Sequence, residues 1–554
     1  WLRIDEETRA ATLEFAKRVA EGNQSTAEVL DLAATADEVD GDAVSGWVSR
    51  ALAGEFRPAP AEKVKTPKTI TATLRHYQED GLAWLAWLEA NDLGGILADD
   101  MGLGKTAQAL AIIAHDIESS KRKKTKPTAP TLVVAPTSVV TNWLREAEHF
   151  APKLRVVLHH GSAREDPAEY VGEADIVVTS YGVMRRDEEL RAIDWHRVVL
   201  DEAQAIKNPT TATTKAARKL KGSRRLIVTG TPVENHLGEL WSLMSFANPG
   251  LLGTQASFKD RYADYVGTAA GADALAALRK RIAPFILRRH KMDPGIADEL
   301  PERIIVRDDC TLTREQAALY QAVVKDMTSD VADVAGMARR GRVLAGITKL
   351  KQICNHPATI ADEGPDGPLA GRSGKLDRLV ELAEEIIEEG EAVVVFSQYA
   401  TFLRRVATHL RTELGVGVEN LDGKMARGAR DKAVERFSVD GGPPVLCVSL
   451  KAGGTGLNLV RANHVIHFDR WWNPAVEDQA SDRVWRIGQT RGVVVHTLVC
   501  PGTLEERIAD LLDQKRSLAD AVVASSPEQL ISELDDAALA ALVELDADRA
   551  GGLR

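Results

Sequence analysis

The chain has 554 residues, a formal net charge of −11, 44% hydrophobic and 27% charged residues. That is an ordinary globular composition, long enough for about two to four domains. It holds no apolar run near the ~20 residues of a membrane-spanning helix, and its acidic balance excludes coating of nucleic acid by the whole surface, though not a local basic groove.

The opening, Trp1-Leu2-Arg3-Ile4-Asp5, is no signal peptide and lacks an initiator Met. The chain is therefore expected to be a fragment with more sequence upstream. Residues 1–65 read as a mixed, partly helical accessory segment. The first clear unit is Gly95-Ile96-Leu97, a buried strand, followed by Ala98-Asp99-Asp100-Met101-Gly102-Leu103-Gly104-Lys105-Thr106 and then a helical Ala-Leu-Ile run. A strand, a glycine turn and a Lys-Thr pair opening a helix is the layout of a phosphate cradle. Backbone N–H groups and the helix dipole face the anion there. Lys105 can reach terminal phosphates and the Thr106 hydroxyl can ligate magnesium. Asp99 stands where the usual pattern wants its first glycine.

β-branched runs without polar alternation follow at 131–135, 176–179, 197–200 and 225–229, the texture of a parallel sheet covered on both faces. Val198-Val199-Leu200-Asp201-Glu202 reads as a strand delivering two carboxylates at its C-terminal tip, where ligands sit in open α/β sheets. Asp201 would hold magnesium, and Glu202 would orient and deprotonate an attacking water.

From 235 to 370 the strands are expected to stop and helices to take over. Arg279-Lys280-Arg281 and Arg288-Arg289-His290-Lys291 are basic clusters anchored near packed structure. A Gly/Pro/Asp-rich loop over 362–374 marks a boundary. The next helix carries an apolar stripe of Leu376, Leu379, Val380, Leu382, Ala383, Ile386 and Ile387 and stops at Gly390. Strand texture returns at 393–397, 445–449, 464–468 and 493–497. His464 and His467 alternate on a strand with no acidic partner at ligand spacing, so both read as core residues. Arg483 and Arg486, three apart, would share a helix face, and both could supply positive charge to a γ-phosphate across a cleft. Beyond about 525 the tail is Ala-rich and acidic. The four cysteines, Cys310, Cys354, Cys447 and Cys500, form no C-x-x-C pair. Reduced, buried thiols are expected rather than zinc or disulfides.

The resulting sketch is α/β: two doubly wound parallel-sheet lobes, 66–234 and 371–525, a helical insertion and linker over 235–370 between them, and a tail over 526–554.

The order and wording of these segments resemble the Snf-type (Swi/Snf) ATPases of helicase superfamily two, with two RecA-like lobes. Leu74-Arg75-His76-Tyr77-Gln78 is similar to the family's first motif, which implies an adenine-reading role for Gln78 beside Arg75. Asp99–Thr106 resembles motif I, in which the family tolerates Asp99. The resemblance implies that Asp100, Met101, Gly102, Leu103 and Gly104 line the nucleotide with Lys105 and Thr106. Ala135-Pro136-Thr137-Ser138 through Trp143 resembles motif Ia, and Asp201-Glu202-Ala203-Gln204 motif II, continuing to Lys207 and Asn208. Thr229-Gly230-Thr231-Pro232 resembles motif III, Phe396-Ser397-Gln398 motif IV, and Ser449-Leu450-Lys451-Ala452-Gly453-Gly454 motif V. The implied DNA-backbone contacts are Pro136, Thr137, Ser138, Lys207, Asn208, Ser397, Gln398, Ser449, Lys451 and Gly453. Gly454, Arg483 and Arg486 are implied on the nucleotide side. Gln204 stands where the family usually has His, which puts DNA-to-ATPase coupling in doubt.

The resemblance implies ATP and Mg2+ as cofactors and double-stranded DNA as partner, for a translocase that need not separate strands. A strand-separating helicase and an ATP-switched scaffold on RNA polymerase or another protein complex are the alternatives. High Ala, Gly, Arg and Asp usage suggests a GC-rich bacterial genome, hence a cytoplasmic, nucleoid-associated protein with no membrane role.

Overall fold

The computed structural model describes residues 64–550 except 124–128, 138, 162–165, 231–236, 264–268, 297, 332–335, 361–366, 454–456, 472–473 and 511–535. The accessory segment expected over 1–65 therefore lies almost wholly outside the described residues. The chain divides into two compact units, Trp1–Ile296 and Ala297–Arg554.

The first unit carries helix α1 (His76–Ala90), strand β1 (Gly95–Leu97), α2 (Lys105–Lys123), β2 (Thr131–Ala135), α3 (Val140–Phe150), β3 (Val156–His159), β4 (Ile176–Ser180), β5 (Asp194–Asp201), β6 (Lys221–Val228), α4 (Leu237–Ala247) and β7 (Ile286–Leu287). Its seven strands lie in the order β3-β4-β2-β5-β6-β1-β7, and every pairing is parallel. Every residue of β2 and β4 is buried, as expected of strands covered on both faces.

The second unit carries β8 (Arg303–Asp309), α5 (Arg314–Val331), α6 (Gly336–Asn355), α7 (Gly374–Glu388), β9 (Val393–Ser397), α8 (Ala400–Leu414), β10 (Val418–Leu421), β11 (Val445–Ser449), β12 (His464–His467), α9 (Pro474–Ser481), β13 (Val493–Val499) and α10 (Asp536–Val543). Its sheet runs β10-β11-β9-β12-β13-β8, again all parallel. Alternate residues of one strand enter different cores. Val393, Val395, Val445 and Cys447 pack with α7 and α8. Val394, Phe396, Leu446 and Val448 pack on the other face with Val484 and Trp485. Two apolar faces explain why these strands show no polar alternation.

Of the stripe predicted for α7, Leu376, Leu379, Leu382, Ala383 and Ile386 are buried, and Val380 and Ile387 are half-buried against the same core; Ser373 is the N-cap, accepting from Leu376 N–H. Gly390 ends the segment at φ 74°, a conformation open to glycine. One expectation is corrected. Strands do not stop between 235 and 370: β7 joins the first sheet and β8 the second, and the division between the units falls between them. All four cysteines are buried free thiols.

Candidate functional site

The site is built at the C-terminal ends of β1 and β5, with β6 between them in the sheet. After β1 the chain turns through Gly102 (φ 87°) and Gly104 (φ 75°), then opens α2 at Lys105. A Cβ on Gly104 would stand 2.4 Å from the Gln78 Nε2. That glycine is needed for close approach as well as for its φ. Gln78 is buried. Its Oε1 accepts from the Arg75 backbone N–H at 2.9 Å and its Nε2 donates to the Leu103 carbonyl at 3.1 Å. The Tyr77 hydroxyl donates to the same carbonyl. Here the two ends of the Gln78 amide tie the start of α1 to the phosphate loop.

Asp99 is fully buried. It accepts from the Arg289 guanidinium at both oxygens and from Gln108 Nε2. Arg289 also donates to Gln108 Oε1 at 2.8 Å and to the Tyr77 carbonyl, with its guanidinium 5.1 Å from the Tyr77 ring centre. A bidentate arginine–carboxylate pair is geometrically specific. The departure at Asp99 thus has a partner: the missing glycine is replaced by an ion pair that fixes the loop. The strand extension does the rest. Ala98 N–H donates to Leu287 O, Asp100 N–H to Arg289 O, and Lys291 N–H to the Asp100 carboxylate at 3.0 Å. Of the basic cluster 288–291, Arg289 therefore serves the loop from within. Sequence reading missed this pairing, because 190 residues separate the partners.

Lys105 Nζ donates to the carbonyls of Asp99 (2.6 Å) and Asp100 (3.1 Å). Burial lowers its pKa, against the pull of Glu202, Asp99, Asp201 and Asp100. Met101 lies against motif III: a Cβ on Gly230 would meet Met101 Cγ at 3.3 Å. Leu103 is buried and Thr106 half-buried.

β5 delivers Asp201. Its Oδ2 accepts from the Trp143 indole N–H at 2.7 Å and its Oδ1 from the Glu202 backbone N–H at 2.9 Å. Burial first, and then the Glu202 charge, push Asp201 up to about 7, against Trp143 and Lys105. Glu202 has φ 47° and ψ 58°, a left-handed backbone costing about 1–3 kcal/mol for a residue other than glycine. Its Oε2 is buried without a hydrogen-bond partner. A strained residue presenting an unsatisfied carboxylate oxygen is the form expected of a general base. Asp201 and Thr106 are the residues that could hold a magnesium ion. Both offer hard oxygens, and each Asp201 oxygen carries one hydrogen bond and so retains a lone pair. Two crowded carboxylates facing a single lysine are also short of positive charge.

Pro136 is half-buried and Thr137 exposed; Ser138 and Gly454 lie outside the described residues. Asn208 is exposed, with its Oδ1 accepting from the Thr210 N–H and hydroxyl. Lys207 is buried, its ammonium 3.6 Å from Glu239, so in this conformation it serves that carboxylate and not a surface. Ser397 and Ser449 are also buried. Ser397 donates to Asp469 Oδ2 at 2.5 Å, which turns it toward the interior of the second unit. Gln398 is half-buried, its backbone N–H donating to Asp469 Oδ1. Lys451 and Gly453 lie on the short helix Leu450–Gly453. Arg483 and Arg486 do not share a helix face. α9 ends at Ser481 and both arginines follow in consecutive turns, Arg483 buried and Arg486 donating to Leu457 O. The half-buried Gln204 sits on a 3-10 turn directly after Glu202. His464 and His467 are buried in β12 as read; the His464 Nε2 also lies 2.6 Å from Glu391, a partner 73 residues away that strand spacing could not reveal.

Residues 77–359 match the SNF2-related domain and residues 374–488 the helicase conserved C-terminal domain. A Bacillus subtilis protein named as an ATP-dependent helicase/translocase, YwqA, is 44% identical over 487 residues, covering 87% of this chain and 52% of that one. The TATA-binding protein-associated factor MOT1 of Saccharomyces cerevisiae is 34% identical over 535 residues, covering 84% of this chain and 28% of that one. The chain thus spans about half or less of these relatives' length. A solved Sulfolobus solfataricus SWI2/SNF2 ATPase core in complex with dsDNA is 40% identical, covers 88% of this chain and 100% of that one, and superposes with a TM-score of 0.43.

Proposed function

The chain belongs to the SNF2-related family, and on that premise we propose that it hydrolyses ATP and uses the cycle to translocate along duplex DNA, strand separation not being required. The observation that carries the reading is the convergence of Lys105, Asp201 and Glu202, with the Glu202 Oε2 left unsatisfied. The triphosphate would lie on the loop N–H groups before α2. Lys105 would exchange its two loop carbonyls for phosphate oxygens. Glu202 would orient the attacking water and take its proton. Held by Asp201 and Thr106, magnesium would neutralise charge on the β- and γ-phosphate oxygens. Arg483 and Arg486, from the second of two RecA-like lobes (66–234 and 371–525), would add positive charge in the transition state. Among the residues whose exposure is described, Pro136, Thr137, Asn208 and Gln398 are the accessible members of the proposed DNA-contact set. Such contacts position the duplex without reading its bases. A bacterial member would act in the cytoplasm, on the nucleoid.

The test is ATPase activity across duplex DNA, single-stranded DNA, RNA and hybrid. Stimulation by duplex is expected. Stimulation by single strands or RNA alone would overturn the substrate, and turnover surviving Lys105→Ala would overturn the site.

A second reading, an ATP-driven remodeller of a protein complex, is favoured by the relatives named as TATA-binding protein-associated factors. ATP-dependent capture of RNA polymerase without DNA would support it. An unwinding assay on a tailed duplex separates both readings from a strand-separating helicase.

A further inference from the structure

We propose that Trp143 is a positioning residue that links the Pro136–Thr137 loop to Asp201, so that duplex DNA held at the loop sets the orientation of the magnesium-binding carboxylate. The proposal rests on the reading of the chain as a DNA-stimulated ATPase.

The path is short and lies within one unit. β2 ends at Ala135. The Pro136 carbonyl accepts from the N–H groups of Val139 (2.8 Å) and Val140 (3.2 Å), and Trp143 N–H closes the first turn of α3 onto Val139 O at 3.2 Å. Val139, the N-cap residue, supplies no side-chain cap, so the start of α3 is held by the loop itself. Trp143 is 1% exposed and its indole N–H reaches Asp201 Oδ2 at 2.7 Å. The indole is a single, donor-only group on a rigid ring. In a close-packed setting it has no spare rotamer to absorb a shift of the helix start. The other Asp201 oxygen is tied to the Glu202 backbone N–H. A rotation of the Asp201 carboxylate is therefore felt at the residue carrying the unsatisfied Oε2. Loop, indole, magnesium carboxylate and general base form one run of contacts, and none of the links crosses between units.

Trp143→Phe keeps an aromatic ring and removes the donor. Hydrogen-bond partners of metal-ligating groups are worth about 10–100-fold in affinity or activity. The expected result is a rise of about tenfold in the Mg2+ concentration for half-maximal hydrolysis, and a comparable fall in the ratio of duplex-stimulated to unstimulated turnover. A purely structural role would lower the melting temperature and leave the Mg2+ requirement and the stimulation ratio alone. A second readout needs neither Mg2+ nor ATP. In protein labelled with 5-fluorotryptophan, the 19F resonance absent from Trp143→Phe should move when duplex DNA is added. If that variant does not fold, the resonance is assigned by its shift in Asp201→Asn. A wild-type enzyme indifferent to duplex DNA defeats the DNA reading and this proposal together. A stimulated wild type with an equally stimulated Trp143→Phe, or a fluorine resonance unmoved by bound duplex, defeats the proposal alone.

Discussion

The two sheets share an all-parallel construction, yet their strand ends are finished in opposite ways. In the first unit the tips of β1 and β5 gather a lysine and two carboxylates, a left-handed glutamate and an oxygen without a partner. In the second, the chain after β9 and β12 is filled by its own charges. Asp469, fully buried, accepts from the Ser397 hydroxyl, the Gln398 N–H and the Asn355 amide. Lys375, also fully buried, donates to Asn355 Oδ1, Phe468 O and Glu505 at 2.8 Å. Cys354, Cys500 and Glu505 bring three ligand atoms within 4.8 Å of one another, but the Lys375 ammonium already holds the carboxylate. Charge left unsatisfied is poised for a ligand; charge fully paired in the interior is spent on holding the fold.

Five single variants and one double variant test that contrast, in order of expected effect. Arg483→Ala and Arg486→Ala ask whether the second unit also serves the nucleotide. Loss of a transition-state arginine should lower kcat by about 10³-fold or more, measured in single turnover, with ATP binding kept. A drop in melting temperature alone would assign both to the structural side. Glu202→Gln should lower kcat by about 10²–10⁴-fold, with ATP still bound and no loss of thermal stability. Lys375→Met leaves a buried glutamate uncompensated and should destabilise the second unit by about 3–5 kcal/mol, read by urea melts. Lys375→Met with Glu505→Leu should recover most of that loss, and nucleotide affinity should change in neither. Asp99→Asn weakens charge-assisted bonds worth about 1.5–3 kcal/mol. It should reduce ATP affinity measured by calorimetry while leaving the second unit's melt unchanged.

The interior strands of both sheets were legible because they are unbroken apolar runs. The four that were not, β3, β7, β8 and β10, are the edges of the two sheets. An edge strand is flanked on one side only and can be short or polar. β7 has two residues, β8 carries Arg303 and Arg307, and β10 reads Val-Glu-Asn-Leu. Lys105, Asp201 and Glu202 could be read from local wording, since a turn after a strand fixes where they point. Trp143 and Arg289 could not, because their roles depend on partners 58 and 190 residues away. The helical spacing of Arg483 and Arg486 failed for a local reason: the helix stops two residues before the first of them.

The strand β7 has one more consequence. Its extension is laced to the phosphate loop through Leu287, Arg289 and Lys291, and Ile296, five residues beyond Lys291, closes the first unit. The tether to the second unit thus departs from the wall of the nucleotide cradle. A rearrangement of that wall would therefore reach the segment leading out of the first unit before any other part of the chain's exit.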